Sequence, residues 1–152
     1  MKNLTLFHAG QRYYDAWAPS LVGLALRIWL ASIFFQSGLT KIASWRSTLA
    51  LFESEYQVPL LSPLMAAWLA TGVELIFPAL LLVGLFTRFS ALALFVLNAV
   101  AMLSYPDISE AGVKEHQYWG IFLIVLLAYS GGRLALDQLL QRIKDKRQSH
   151  VA

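Results

Sequence analysis

The sequence contains no cysteine. That excludes disulfides, thiolate metal ligation and dithiol redox chemistry, and leaves the compartment unreadable from cysteine usage. Charge is scarce as well. Only 14% of the 152 residues are Asp, Glu, Lys or Arg, against about 25% in an ordinary soluble domain. Recognisable catalytic spacing is missing: there is no HExxH, no GxGxxG, no phosphate loop and no nucleophile–base arrangement. Nothing here identifies an enzyme acting alone. A cleaved signal peptide is not expected either. The first long apolar run begins near Pro19, behind Gln11, Arg12 and Asp15, and no small-residue cleavage site follows a short apolar stretch. Low-complexity segments and internal repeats are absent.

What is present is apolar. The chain is 58% hydrophobic, with a mean hydropathy of +0.58. A water-soluble chain of this length could not hide that much apolar surface in one core, because surface area falls too slowly with size. Hydrocarbon as the solvent removes the difficulty. The net charge of +3 does not point to nucleic acid, because the basic residues fall where membrane topology would put them.

A membrane helix needs about 20 mostly apolar residues. Four stretches qualify or nearly so: residues 19–38, 63–86, 89–105 and 117–130. Runs such as Leu80-Leu81-Leu82-Val83 and Ile121-Phe122-Leu123-Ile124 lack the polar face of a soluble helix. The fold class expected is an all-α membrane protein, a four-transmembrane-helix antiparallel bundle. Four spans place both termini and the second–third connection on one side. That side holds Lys2, Arg12, Arg88, Arg133, Arg142, Lys144, Lys146 and Arg147, and the other holds Lys41, Arg46 and Lys114. The excess puts the N and C termini in the cytoplasm. In the first outer loop Trp45, Leu49, Phe52 and Tyr56 recur at helical spacing, which predicts a short interfacial helix anchored by Trp45. The organisation reads as an N-terminal interfacial segment 1–18 (with Phe7, Tyr13, Tyr14 and Trp17), a transmembrane domain 19–140 and a charged, frayed cytoplasmic tail 141–152.

Ionisable residues at membrane depth are costly, so they are the first functional candidates. Arg27 lies about 12 Å into the first span at ~1.5 Å per residue. Glu74 lies near the middle of the second, at a matching depth. A pair between Arg27 and Glu74 is therefore expected, read first as an internal staple and second as a polar binding site. Lys41, fourteen residues after Arg27 on nearly the same helix face, reads as an outer-interface anchor or as the mouth of that site. Gly38 beside it allows close approach of a helix or ligand. Asn98, midway along the third span, is expected to bond across helices. Pro78 frees the carbonyl of Glu74 from helical pairing. Met65, Met102 and His116 fall near the outer face and together supply soft donors that could hold copper, although methionine more often fills gaps.

Three motifs in order give a resemblance. They are Leu26-Arg27 with Ser37-Gly38-Leu39-Thr40-Lys41, Glu74-Leu75 with Pro78 and Gly84-Leu85-x-Thr87-Arg88, and the close Gly131-Gly132-Arg133-Leu134-Ala135-Leu136-Asp137. Across residues 21–140 the chain resembles the DoxX family of membrane proteins. It departs from the family's close in having Gly131-Gly132 directly before Arg133 and alanine, not serine, at Ala135. The loop around Phe52, Glu53, Glu55, Tyr56, Val58 and Pro59 resembles a branch whose genes often neighbour those of modified metal-binding peptides. The resemblance implies a bacterial inner-membrane bundle and carries no catalytic residue onto this chain. Its relatives include a subunit of a thiosulfate:quinone oxidoreductase.

Three functions follow as expectations. The first is a non-catalytic accessory or assembly subunit of a redox or metal-handling system, embedded in the lipid bilayer beside a membrane protein partner or a second copy. The second is a quinone-linked oxidoreductase membrane subunit, with Arg27, Lys41, Trp29 and Tyr118 as donors to a bound quinone. The third is a small solute or metal-ion transporter.

Overall fold

The computed structural model of the protein describes residues 2–148, with side chains for 11, 14 and 17–148. The described residues form helices joined by turns and loops, without a strand. The order is α1 (Lys2–Ala43), α2 (Trp45–Ser54), α3 (Pro63–Val83), α4 (Thr87–Ser104), α5 (Glu110–Tyr129), a short 3-10 turn at Gly132–Leu134, and α6 (Leu136–Gln148).

Local chemistry sets the boundaries. Ser62 caps α3 by accepting from the Met65 N–H, and Pro63 follows at the first helical position, where a missing N–H costs nothing. Ser109 does the same for α5 through the Gly112 N–H. The end of α3 is a left-handed glycine, Gly84, at φ 73°. Its N–H donates to the Leu81 carbonyl and that of Leu85 to the Leu80 carbonyl, which satisfies two carbonyls the helix leaves open.

α1 packs on α3, α3 on α4, α4 on α5, and α5 returns to α1. Inside this ring Leu30, Phe34, Leu81, Ala91, Leu94, Leu123 and Leu126 form the core. Outside it, Val22, Leu39, Leu69, Ile76, Phe89, Val96 and Ile121 are exposed, an apolar perimeter far beyond the patches a water-soluble monomer tolerates. Among the described residues three helices are long and apolar enough to cross a membrane: Trp17–Ala43 within α1, then α3 and α4. α5 has 20 residues, but its first two turns carry Glu110, Lys114 and Glu115, so its apolar part is shorter.

Two local expectations change. Pro19 does not begin a helix; α1 runs unbroken through it from Lys2, for 42 residues. Phe7 and Tyr13 lie outside the described side chains, while Tyr14 is exposed and the ring of Trp17 lies under the Arg133 guanidinium, 5.6 Å away. The tail is not frayed up to Gln148, where α6 ends; residues 149–152 lie outside the described part. α2 forms where the aromatic spacing predicts a helix. Phe52 packs with Ala66 and Ala67 of α3, and the Trp45 ring meets Trp68 at 4.2 Å.

Candidate functional site

The buried charges form two centres, one at each end of the helical ring. The first lies at the α2 end. Lys41 reaches back along its own helix, and its Nζ donates to Ser37 Oγ and to Glu74 Oε1, each at 2.8 Å. Ser37 Oγ in turn donates to the same Oε1 at 3.2 Å. Lys41 Nζ also lies 2.7 Å from Glu74 Oε2, so both carboxylate oxygens face the ammonium. Oε2 is buried, with no second donor beside the Lys41 ammonium. Pro78, four residues on, leaves the Glu74 main-chain carbonyl without its helical donor. Gly38 lets α3 come this close: a Cβ there would meet Leu75 Cδ2 at 2.9 Å and Glu74 Cβ at 3.1 Å.

A cavity of about 210 Å³ opens beside this pair. Its walls are apolar: Val58 and Leu61 from the loop, Leu69, Ala70 and Val73 from α3, and Ala93, Val96, Leu97, Val100 and Ala101 from α4. Lys41 and Glu74 line it too, and Phe52 and Tyr56 close it. Leu69, Val96 and Val100 are also exposed on the outer surface, so the cavity opens sideways between α3 and α4. The closing loop is tied down. Tyr56 stacks between Phe52 at 4.8 Å and Tyr105 at 5.2 Å, the Tyr105 hydroxyl donates to Glu55 Oε2 at 2.7 Å, and the Gln57 N–H donates to the Ser104 carbonyl at 2.7 Å. The Tyr105 phenol is pushed above its ordinary pKa by that hydrogen bond and by the charge of Glu55. Burial raises Tyr56, with the charges of Glu74 and Glu55 adding to it.

The second centre holds Arg27, which is fully buried. It does not pair with Glu74. Nη2 donates to the Leu134 carbonyl at 3.1 Å and Nη1 approaches the Leu82 carbonyl at 3.5 Å. Leu82 lies in the last turn of α3, where carbonyls lack helical donors and the dipole favours a cation. Gly84 is required here twice over: its φ is positive, and a Cβ would overlap Arg27 Nη1. From α6, Asp137 Oδ1 and Oδ2 accept the Phe86 and Thr87 N–H groups, both at 2.8 Å. The Asp137 N–H donates to the Gly84 carbonyl at 3.0 Å, and the Arg133 N–H to Ser20 Oγ at 3.1 Å. This centre knots the end of the chain to α1 and to the α3–α4 turn.

The expected Arg27–Glu74 pair fails for a geometric reason. The depth comparison took Pro19 as the start of α1 at the membrane face, but α1 starts at Lys2. Arg27 therefore stands level with Gly84 and Gly38 level with Glu74, and the fourteen residues from Arg27 to Lys41 span about 21 Å of helix. Asn98 bonds across helices as expected: Nδ2 donates to the His116 carbonyl at 2.8 Å, and Oδ1 lies 2.7 Å from His116 Nδ1. That commits Nδ1 to Asn98, and the ring lies edge-on to Trp119 at 4.9 Å. Met65 is exposed at the start of α3, and among the described residues no three His, Cys, Asp or Glu converge on one point. Trp29 packs edge-on to Phe122 at 5.4 Å, and Tyr118 is exposed on α5; neither lines the cavity. Sequence reasoning missed Ser37, although it stands one turn before Lys41 on the same face. It also missed Asp137 as a cap, a role only the folded chain reveals.

Comparison with known proteins gives three findings. The DoxX family model matches residues 22–106, a stretch that contains Arg27, Lys41 and Glu74. An uncharacterized protein of Haemophilus influenzae is 36% identical over 129 residues, covering 79% of this chain and 83% of that protein. No solved structure matches the chain.

Proposed function

Since the chain belongs to the DoxX family, we propose that it is a four-span protein of the bacterial inner membrane, and that its cavity beside Lys41 and Glu74 holds the ring of a quinone. It serves in this reading as the membrane subunit of a redox system, with a partner protein supplying the electrons. Both termini are cytoplasmic, following the lysine and arginine excess at that end. α5 is the fourth span, its charged first turns reaching the outer interface, and α2 lies in that interface with Trp45 against Trp68.

The observation that carries the reading is a cavity with apolar walls and one polar end. About 150 Å³ is enough to admit benzene in a dry protein cavity, so about 210 Å³ takes a substituted ring. The sideways opening lets an isoprenoid tail stay in hydrocarbon. The polar end suits both redox forms of the ligand. Lys41 has three N–H donors; Ser37 takes one and the Glu74 carboxylate, with both oxygens within 2.8 Å, shares a second, so that the third reaches a ring carbonyl in this reading. Glu74 Oε2 has the Lys41 ammonium beside it and no second donor, so a lone pair is left to accept from a ring hydroxyl.

The test is direct. The protein is purified in mild detergent, extracted for quinone, and melted with and without a short-tailed quinone analogue. Quinone in the extract and a rise in Tm are expected. Ala101→Phe, which fills the cavity and leaves the Lys41–Glu74 pair in place, should abolish both. An extract without quinone together with an unmoved Tm removes this reading. A partner protein that still co-purifies would then leave the accessory role standing alone.

A further inference from the structure

A larger groove, of about 580 Å³, lies at the opposite end of the molecule from the cavity, between α6 and the α3–α4 turn. Its floor is apolar, with Phe86, Phe89 and Leu140, and Arg88 and Lys144 also line it. Phe86 and Phe89 are more than half exposed and continue the apolar perimeter of α4. The acid in the groove is already engaged: both oxygens of Asp137 accept N–H groups at the start of α4, where the helix dipole offsets negative charge. The groove therefore offers two cations above an apolar floor, Lys144 and Arg88, whose Nη2 also reaches the Ala128 carbonyl at 3.4 Å and leaves the rest of its N–H fork to a ligand.

α6 has the same two-sided character. Leu136, Leu139, Leu140 and Ile143 recur at i, i+3, i+4 and i+7, which places them on one helical face, and all four are exposed. Arg142, Lys144 and Arg147 supply positive charge along the helix. A helix of this kind lies flat in the headgroup region of an anionic leaflet.

We propose that α6 lies on the inner leaflet, and that the groove binds one anionic phospholipid, its phosphate between Arg88 and Lys144 and an acyl chain along Phe89. The proposal rests on the membrane-spanning reading but not on the quinone. Charge complementarity selects an anionic headgroup, and a floor continuous with the perimeter of α4 selects a lipid over a free phosphate.

The full-length protein is reconstituted in vesicles of phosphatidylcholine and phosphatidylglycerol, and lipids retained after gentle release are counted by native mass spectrometry. The protein should retain phosphatidylglycerol over phosphatidylcholine. Each cation removed should weaken retention roughly fivefold, so Arg88→Gln with Lys144→Gln should weaken it at least tenfold. Equal retention by the parent and the double variant, or equal retention of the two lipids by the parent, overturns the proposal. A second reading covers a variant that folds poorly. L140C in the otherwise unchanged chain, which has no other cysteine, carries an environment-sensitive dye. Its emission should shift to the blue in phosphatidylglycerol vesicles relative to phosphatidylcholine, and an identical spectrum in both overturns the docking of α6. Symmetric vesicles make both readouts indifferent to orientation and to quinone. Failure of the membrane reading would show separately, as protein left in the supernatant without detergent.

Discussion

Lys41 and Glu74 face each other across the α1–α3 contact with Nζ 2.7 Å from Oε2, while Arg27, on the same helix, has backbone carbonyls as its partners. The two cations of α1 thus do different work. Arg27 completes the end of α3, and its neighbours Gly84 and Asp137 are fixed by that task. Lys41 is paired with a carboxylate at the wall of a cavity, its Nζ within 2.8 Å of both oxygens.

The pair predicts a specific pattern of damage and rescue. Glu74→Leu should lower stability by about 3–5 kcal/mol, because it leaves a mostly buried ammonium without its counter-charge. Lys41→Met alone should cost a similar amount. Joined to Glu74→Leu, it should cost much less than the sum, because no lone charge remains. Thermal melts in detergent, arranged as a double-mutant cycle, read the coupling directly. Exchanging the charges of Arg27 and Glu74 should rescue nothing, and rescue there would contradict the geometry.

Gly84 and Gly72 should respond in opposite directions to alanine. Gly84 combines a φ of 73° with the Arg27 guanidinium in the space a Cβ needs, and a left-handed non-glycine residue alone costs about 1–3 kcal/mol. Gly72, inside α3, has nothing within 4 Å of its Cβ position, so alanine there should gain about 0.5–1 kcal/mol of helix stability. The difference in Tm between the two variants is the measurement. Equal values would mean that the α3–α4 turn does not depend on its glycine.

The helices were legible because hydropathy over twenty residues needs no knowledge of neighbours. α2 was legible for a similar reason: Trp45, Phe52 and Tyr56 share a face by spacing alone. The partners of buried charges were not. Arg27 ends on the carbonyls of Leu82 and Leu134, and every residue has a carbonyl, so no residue type advertises one as a partner. Pro19 then misplaced the register, because a proline that α1 passes straight through looks in sequence like a helix start. Lys41, Glu74 and Gly38 were each singled out from the sequence. That they meet, with Ser37, beside a cavity depends on the α1–α3 packing, which spacing along one chain does not encode.

Asp137 should act as a cap at a distance. Its two oxygens take the N–H groups of Phe86 and Thr87, which open α4 without any capping side chain of their own. Asp137→Ala should cost about 1–2 kcal/mol, at the upper end for a lost cap. Asp137→Asn keeps one acceptor and should cost less. Hydrogen exchange localises the effect: the amides of Phe86 and Thr87 should exchange faster in the alanine variant, while those in the middle of α4 stay protected.

The loop over the cavity should loosen in alkali, and the sign follows from its phenols. Tyr105 donates to Glu55, and that bond raises its pKa in the folded protein; burial raises Tyr56 beside it. A raised phenol means that the folded chain holds protons which the unfolded chain releases near pH ~10. The stabilising effect is therefore fully present below that pH and is lost as pH climbs through the folded values. An absorbance titration of tyrosinate, taken as the difference between the parent and Tyr105→Phe, should place Tyr105 above a free phenol. Glu55→Gln, which removes the negative charge beside it, should bring Tyr105 back toward the ordinary value. If ligand retention follows closure of this loop, release of a bound quinone analogue should speed up over the same pH interval in the parent. An unshifted Tyr105 titration would show that Glu55 does not hold the loop, and the stack of Phe52, Tyr56 and Tyr105 would then be the remaining tie.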